Sequence, residues 1–494
     1  MTANSVHHLV LRHADRLAGK AALLDAATGA TITYRELADG VSRVAAALTA
    51  RGFGRGDVLA AYSPNLPAYA LAVYGAMAAG GTFTGADPSL TAAELVTQLA
   101  DSGARLLVTA PELLERAKDA AGRAGVGEVL CFDELTGDAV APPPASPPDP
   151  VLDGDVAVLP YSSGTTGLPK GVELTHAALV ANVGQAQAVL GFAEDDMILA
   201  VAPFCHVIGL NLLLAGGLAA GATVVTLPRF DLEAFLRAIQ DRRVTLTVVV
   251  PPVVHALAGH PLVDRFDLSS LRALGVGAAP LDAATEQHCA ERLGCTVSQG
   301  LGMTETGALI AVGDPAAPRR GSVGRPLPGT ETRIVDPATG TDLGLGRTGE
   351  LWVRGPQLMR GYRGRPSETA ATLDTDGWLH TGDLCHFDED GHLYVVDRLK
   401  ELIKHGGHQV PPAELEQLLR MHPAVADAAV VGRPDPVAGE VPVAHVVLRF
   451  PATAEELLGY VAERVAPFKR LAAVTFAADL PRSATGKLMR RALR

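Results

Sequence analysis

The chain has 494 residues, 48% of them hydrophobic and 19% charged, with a formal net charge of -12. At roughly 100–200 residues per domain, this length predicts at least two or three globular units rather than a disordered chain. The acidic balance argues against nucleic acid or an anionic membrane as the main partner, but a local basic pocket could still receive a phosphate.

In chain order, the opening MTANSVHHLVLRHAD carries no apolar run of the kind a secretory signal needs. Five scattered cysteines (Cys131, Cys205, Cys289, Cys295, Cys385) form no CxxC pair and no zinc spacing, which predicts a reducing cytoplasm. Residues 141–150, APPPASPPDP, exclude a helix or central strand and read as a surface linker between two lobes. Next comes PYSSGTTGLPKGVELTH (160–176), which gathers Ser162, Ser163, Gly164, Thr165, Thr166, Gly167 and Lys170. Glycines let backbone N–H groups approach an anion, hydroxyls add donors and a lysine adds charge: a recipe for a phosphate cradle. The helix predicted after it, HAALVANVGQAQAVLG, would add its positive end if it begins close enough. The stretch is not a Walker A loop, because Pro169 stands where GxxxxGK[ST] needs glycine, and composition alone fits an ordinary loop equally well.

Residues 210–227, LNLLLAGGLAAGATVVTL, approach membrane-spanning length, but Gly216-Gly217 and Gly221 predict a buried helix, a turn and a short strand. Strand patterns TVVTL (223–227), VTLTVVV (244–250) and LRALGVG (271–277) alternate with helical ones such as DLEAFLRAIQDRR (231–243). Uninterrupted apolar strands in such alternation predict parallel sheets covered by helices, an α/β fold. From about 330, TRIVD, ELWVRG and LYVVD alternate more evenly and predict a smaller β unit. The last hundred residues predict a small α+β domain: a helix after Pro411-Pro412, strands VADAAVV and VPVAHVVL, helix TAEELLGYVAERV and strand AVTF. The division is a large N-terminal domain over 1–397, a small mobile domain over 398–494, and a hinge at Asp397.

The order YSSGTTGLPKG resembles the signature loop of the adenylate-forming enzymes: acyl-CoA synthetases, stand-alone adenylation enzymes and firefly-type luciferases. Further matches follow in the family's order: PFCHVIGL (203–210), GAAPL (277–281), QGLGMTETG (299–307), GELWVRGPQLMRGY (349–362), GWLHTGDL (377–384), VDRLKELIKHGG (396–407) and PRSATGK (481–487). They cover nearly the whole chain and are most similar to the 4-coumarate/cinnamate–CoA ligase branch and its bacterial members. The resemblance implies an ATP-dependent ligase that joins a carboxylic acid to AMP and passes the acyl group to CoA, with Mg²⁺ assisting.

It also implies roles. The 162–170 loop would grip pyrophosphate, with Lys170 in the grip. Thr304 and Glu305 would meet the phosphates, Glu305 helping to hold Mg²⁺. Asp383 would accept the ribose hydroxyls and Arg398 would reinforce that side. Gly277, Ala278 and Ala279 would form a flat wall against adenine, and Gly300, Leu301, Gly302 and Met303 would complete the nucleotide site. Leu301 stands where many relatives stack an aromatic ring. Lys487 would bridge the carboxylate and α-phosphate oxygens. After a swing about Asp397, Lys404, Gly407 and Gln409 would line the thiol's approach. Gly406 and His408 depart there from the relatives' KYKGFQV. Outside the motifs, each of these residues would read more plainly as a turn, a solvated pair or a surface ion pair.

His206 matches the ring that gates the acid site. Cys205 beside it invites a Cys–His nucleophile reading, which is set aside because adjacent residues rarely face one another. Val207 stands where amino-acid-activating relatives place an aspartate. Ile208, Leu212, Gly302 and Leu309 would line an apolar acid pocket without a partner for a ring hydroxyl, which predicts cinnamate, an apolar aryl acid or a medium-chain acid. Those leucines would serve equally as core filling. Other acceptors stay open: a carrier-protein thiol, an amine, or nitrite as in the ATP-dependent diazotases. A non-catalytic nucleotide sensor is the remaining alternative.

Overall fold

The computed structural model describes residues 5–137, 151–152, 154–162, 169–405, 408–482 and 488–493. The predicted linker at 141–150, the loop residues Ser163, Gly164, Thr165, Thr166 and Gly167, and Gly406, Gly407 and Lys487 lie outside the described residues.

Among the described residues, two large sheets dominate the N-terminal part. One is nine-stranded, with a parallel centre in the order Thr296–Leu301, Ala273–Val276, Leu246–Val249, Met197–Ala200, Thr223–Thr226, Ala21–Asp25, and short antiparallel strands at both edges. The other has a parallel centre of Val156–Val158, Thr82–Ala86, Val58–Tyr62, Ala104–Thr109 and Glu128–Cys131, flanked antiparallel by Lys170–Thr175 and Gly361–Tyr362. Both centres read as unbroken apolar runs because helices cover both faces. The largest core cluster joins the sheets, taking Leu23 and Ile198 from one and Leu59 and Phe83 from the other.

The evenly alternating segments after 330 form an antiparallel four-stranded sheet of Glu331–Val335, Gly349–Arg354, Leu379–Phe387 and Leu393–Arg398. Its core packs Leu301 and Met303 against Leu351 and Cys385, so it abuts the end of the first sheet. The C-terminal part holds its own core, in which Leu415 and Leu419 of helix Pro412–Arg420 and Leu457 and Val461 of helix Ala454–Ala462 pack on strands Val425–Asp435 and Gly439–Leu448.

The predicted buried helix, turn and short strand of the 210–227 stretch are present, and one detail changes. Gly216-Gly217 does not divide the greasy stretch: a wide π-type helix, Ile208–Ala215, continues directly into Gly216–Ala220, and the break comes at Gly221 with φ 83. The pair permits close packing, since a Cβ on Gly217 would sit 2.9 Å from Val224 and 3.1 Å from Ile198 of the sheet beneath. No described helix is long and apolar enough to cross a membrane. Helix His176–Leu190 begins where the sequence predicts, with strand Lys170–Thr175 between it and the hydroxyl-rich stretch. Six strand residues at about 3.3 Å each separate the helix N-terminus from Lys170.

Candidate nucleotide and acid site

Strand pairing closes the hydroxyl-rich loop. Tyr161–Ser162 runs antiparallel to Lys170–Thr175, and Ser162 is the register partner of Lys170. On the other side of that strand lies Gly361–Tyr362, with Tyr362 opposite Val172. The Lys170 Nζ lies 4.6 Å from the centroid of the Tyr362 ring, and the Tyr362 hydroxyl donates to Glu305 Oε1 at 2.8 Å. Tyr362 therefore links the lysine to the carboxylate. Burial and the neighbouring Glu305 raise its own pKa, which keeps it a donor.

Glu305, 6% exposed, sits in the short turn Thr304–Thr306. The turn is fixed by its backbone: Thr306 Oγ1 accepts from Met303 N–H, and Met359 N–H donates to the Glu305 carbonyl at 2.8 Å. Beside it, a Cβ on Gly302 would meet the Ala308 carbonyl oxygen at 1.6 Å, a contact that only glycine permits. Gly300 faces Leu309, whose carbonyl accepts from Asn182 Nδ2 at 2.9 Å, and Asn211 Nδ2 donates to the Gly307 carbonyl at 3.0 Å. Helix Ile208–Ala215 is thereby tied to the Thr304–Glu305 turn.

Asp383 is 2% exposed and pairs with Arg398 Nε at 2.8 Å, because the two are register partners across strands Leu379–Phe387 and Leu393–Arg398. Asp383, then Glu401 and Glu305, raise the pKa of Arg398, which places the ribose and metal candidates in the field of one guanidinium. Gly277, Ala278 and Ala279 follow strand Ala273–Val276. Ala278 holds a left-handed φ of 69, and a Cβ on Gly277 would lie 3.5 Å from Ile208, so wall and helix start meet. Leu212 and Leu309 are 4% and 6% exposed in one core cluster, with Ile208 packed against it. Leu301 is packed towards the four-stranded sheet.

Asp397 is 5% exposed and accepts from Ala413 N–H and Arg398 N–H at 2.9 and 2.7 Å. Burial outweighs those hydrogen bonds and the pull of Arg490, and raises its pKa to about 6. Lys404 and Gln409 are register partners on hairpin Ile403–His405/His408–Val410, both exposed. His408 stacks on Phe468 with centroids 4.3 Å apart, so this histidine does the packing of an aromatic ring.

Cys205 and His206, though adjacent in sequence, turn their side chains to the same side. Both reach one carboxylate that sequence reasoning missed: His206 Nε2 lies 3.5 Å and Cys205 Sγ 3.9 Å from Asp87 Oδ2. The turn 203–207 is tight enough to point neighbouring side chains the same way, and His206 N–H donates to the Pro203 carbonyl within it. Burial alone would lower the His206 pKa, but the Cys205 and Asp87 side chains outweigh it and raise the value to about 10. Nothing in GADPSL sets Asp87 apart from a turn aspartate, and Tyr362 carried only its place in MRGY. Both became visible through pairings distant in sequence.

Comparison with known proteins gives a consistent result. The family model described as AMP-binding enzyme matches residues 10–363, and that of the AMP-binding enzyme C-terminal domain matches 414–487. The chain is 39% identical to 4-coumarate–CoA ligase 2 of Petroselinum crispum, over 99% of this chain and 93% of that protein. It is 40% identical to 4-coumarate–CoA ligase 3 of Oryza sativa subsp. japonica, over 96% and 88%. Among solved structures, ATP-bound MatB from Rhodopseudomonas palustris superposes with a TM-score of 0.91 at 30% identity, covering 99% of this chain and 98% of that one. The amide bond synthetase McbA from Marinactinospora thermotolerans does so at 0.89 and 33%, covering 99% of each.

Proposed function

This chain belongs to the AMP-binding enzyme family and is an AMP-forming acid–thiol ligase that uses ATP and CoA, and we propose that its acid is an apolar aryl, cinnamate-like or medium-chain carboxylate. A carboxylate has no leaving group that a thiol could displace, and adenylation supplies one. The carboxylate oxygen attacks the α-phosphorus and pyrophosphate departs. The CoA sulfur then attacks the acyl carbon and AMP departs.

In this reading, Ser162 through Gly167 and Lys170 hold the departing pyrophosphate, and the Ser162–Lys170 register keeps that loop closed at its base. Thr304 supplies a hydroxyl to the phosphates. Mg²⁺ would neutralise phosphate charge, and Glu305 fits it: a buried hard oxygen donor with one carboxylate oxygen bonded by Tyr362. Asp383 holds the ribose hydroxyls while Arg398 fixes its carboxylate, and Gly277 to Ala279 with Gly300 to Met303 enclose the base. Lys487 stabilises charge moving between carboxylate and α-phosphate. His206 gates the acid, and Ile208, Leu212, Gly302 and Leu309 shape its pocket. Lys404, Gly407 and Gln409 guide the thiol after rotation at Asp397, which divides the domains at 397/398. The five cysteines, free and unpaired with one another, favour a reducing cytoplasm.

The observation that carries this reading is the convergence of Lys170, Tyr362 and Glu305 from three motifs distant in sequence. A hydroxamate trap across a panel of acids, with and without CoA, tests it. Activated acyl groups should form with apolar acids, and no trapped product from any acid would reject it. Cinnamate should outperform caffeate in kcat/KM, since an unpaired buried hydroxyl costs about 1–3 kcal/mol; a preference for caffeate would reject the apolar pocket. The likeness to an amide bond synthetase supports a second reading in which another acceptor competes with CoA. Product formation with CoA, a carrier protein, amines and nitrite, measured side by side, separates the two.

A further inference from the structure

Asp87 follows strand Thr82–Ala86 of one large sheet, and Cys205 and His206 lie in the turn leading from strand Met197–Ala200 of the other. The junction between them is built closely. A Cβ on Gly85 would meet Cys205 Cα at 2.7 Å, so the two segments touch through backbone. Asn65 clamps the turn from both sides: its Nδ2 donates to the Ala200 and Ala202 carbonyls at 3.0 and 2.9 Å, and its Oδ1 accepts from Phe204 N–H at 2.7 Å. The His206 imidazole, Cys205 sulfur and Asp87 carboxylate place their ligand atoms within 4.8 Å of one another.

We propose that Asp87, Cys205 and His206 form a binding site for a thiophilic divalent cation of the zinc class. The donor set is one thiolate, one imidazole and one carboxylate, which suits zinc and not magnesium or calcium. With zinc bond lengths near 2.0–2.3 Å, tetrahedral donor–donor edges are roughly 3.3–3.6 Å. The observed separations of 3.5 Å (His206 to Asp87) and 3.9 Å (Cys205 to Asp87) need to shorten by a few tenths of an ångström. Three protein donors leave the fourth position open, and the Cys205 thiol proton and the extra proton of the His206 imidazolium both leave to solvent as the cation enters. Rotamers are already restrained here: Cys205 is 6% exposed and the Asp87 side chain 12%. The His206 side chain, one-third exposed, gives the cation a way in. A second cluster, Asp388, Asp390 and His392, carries no such proposal, because Arg319 already lies 3.4 and 3.3 Å from its two carboxylates.

Occupancy would fix the His206 ring and so slow turnover, a consequence that rests on His206 being the acid gate. The site itself is tested without any acid. Full-length, metal-free enzyme titrated with Co²⁺ should develop a thiolate-to-cobalt charge-transfer band that Zn²⁺ bleaches. The band should vanish in Cys205→Ser and persist in Cys289→Ser. Asp87→Asn should weaken Co²⁺ binding by at least about 10-fold. Thermal melts of each variant identify any that fail to fold. No band in the wild type, an unchanged band in Cys205→Ser, or unchanged affinity in Asp87→Asn would each overturn the site. Metal binding with unaltered turnover would instead count against the gating role of His206, so the two failures are distinguishable.

Discussion

The groups assigned to the nucleotide and those assigned to the thiol are held in opposite ways. Glu305 and Asp383 are all but sealed, their positions set by strand register, a glycine contact and ion pairs spanning separate motifs. Lys404 and Gln409 stand in solvent on a short hairpin, whose backbone is tied down through Lys404 N–H and the Glu440 carboxylate at 2.9 Å. Charge stabilisation at a phosphate requires donors that do not reorganise during reaction, which burial enforces. A group that meets a thiol only after a domain rotation must be free to leave its neighbours, which exposure allows. Substitutions on the first side should therefore disturb binding and fold together, and on the second side one half-reaction alone.

The largest effect should come from Lys487→Ala, the proposed moving member of the nucleotide set. Adenylation should fall by roughly 10²–10³-fold, the magnitude of losing one preorganised donor, with thioester formation from supplied acyl-AMP much less affected. Wild-type pyrophosphate exchange in the variant would break the assignment.

Next is buried Asp397, the proposed hinge. The folded pKa of Asp397, about 6, exceeds its ordinary value of 3.8, so between these pH values the folded state binds the proton more tightly than the unfolded state. The sign follows: its contribution to stability is greatest below the ordinary pKa and is lost as pH rises through about 6, by roughly 3 kcal/mol. Asp397→Asn should flatten that part of the urea-melt profile, and an identical slope in both proteins would sink the claim.

Gly302→Ala comes third. Its methyl would overlap a backbone carbonyl, so a loss of roughly 1–3 kcal/mol in stability should accompany weaker ATP binding. Calorimetry showing no change would mean the Ala308 contact relaxes freely. Tyr362→Phe keeps the ring beneath Lys170 and removes only the hydrogen bond to Glu305. About 1.4 kcal/mol, or ~10-fold, should appear in KM for Mg·ATP, with kcat moved less. Smallest in stability is Lys404→Ala, within about 0.5 kcal/mol of wild type because the side chain is exposed. It should slow thioester formation while leaving adenylation intact, and equal loss in both halves would erase the contrast between the two regions.

Much of the fold could be read from residue patterns alone. Apolar runs at 223–227, 244–250 and 271–277 became central parallel strands, and the alternating segments after 330 became an antiparallel sheet. Period-two and unbroken apolar patterns are local signals, so they survive without tertiary information. The misreading at Gly216-Gly217 has a tertiary cause. A glycine pair is judged locally as a breaker, yet its role was set by a neighbouring sheet.

The sequence by itself determined which chemistry-bearing residues this protein has and in what order, because motif residues such as Ser162, Lys170, Glu305 and Asp383 are fixed by type and spacing along the chain. Tertiary structure alone decided which of them meet. Lys170 and Glu305 are joined through Tyr362, Asp383 is held by Arg398, and Asp87 draws Cys205 and His206 to one carboxylate. The physical reason is that hydrogen bonds and ion pairs act over a few ångströms, and strand register and sheet packing, not distance along the chain, set which groups come that close.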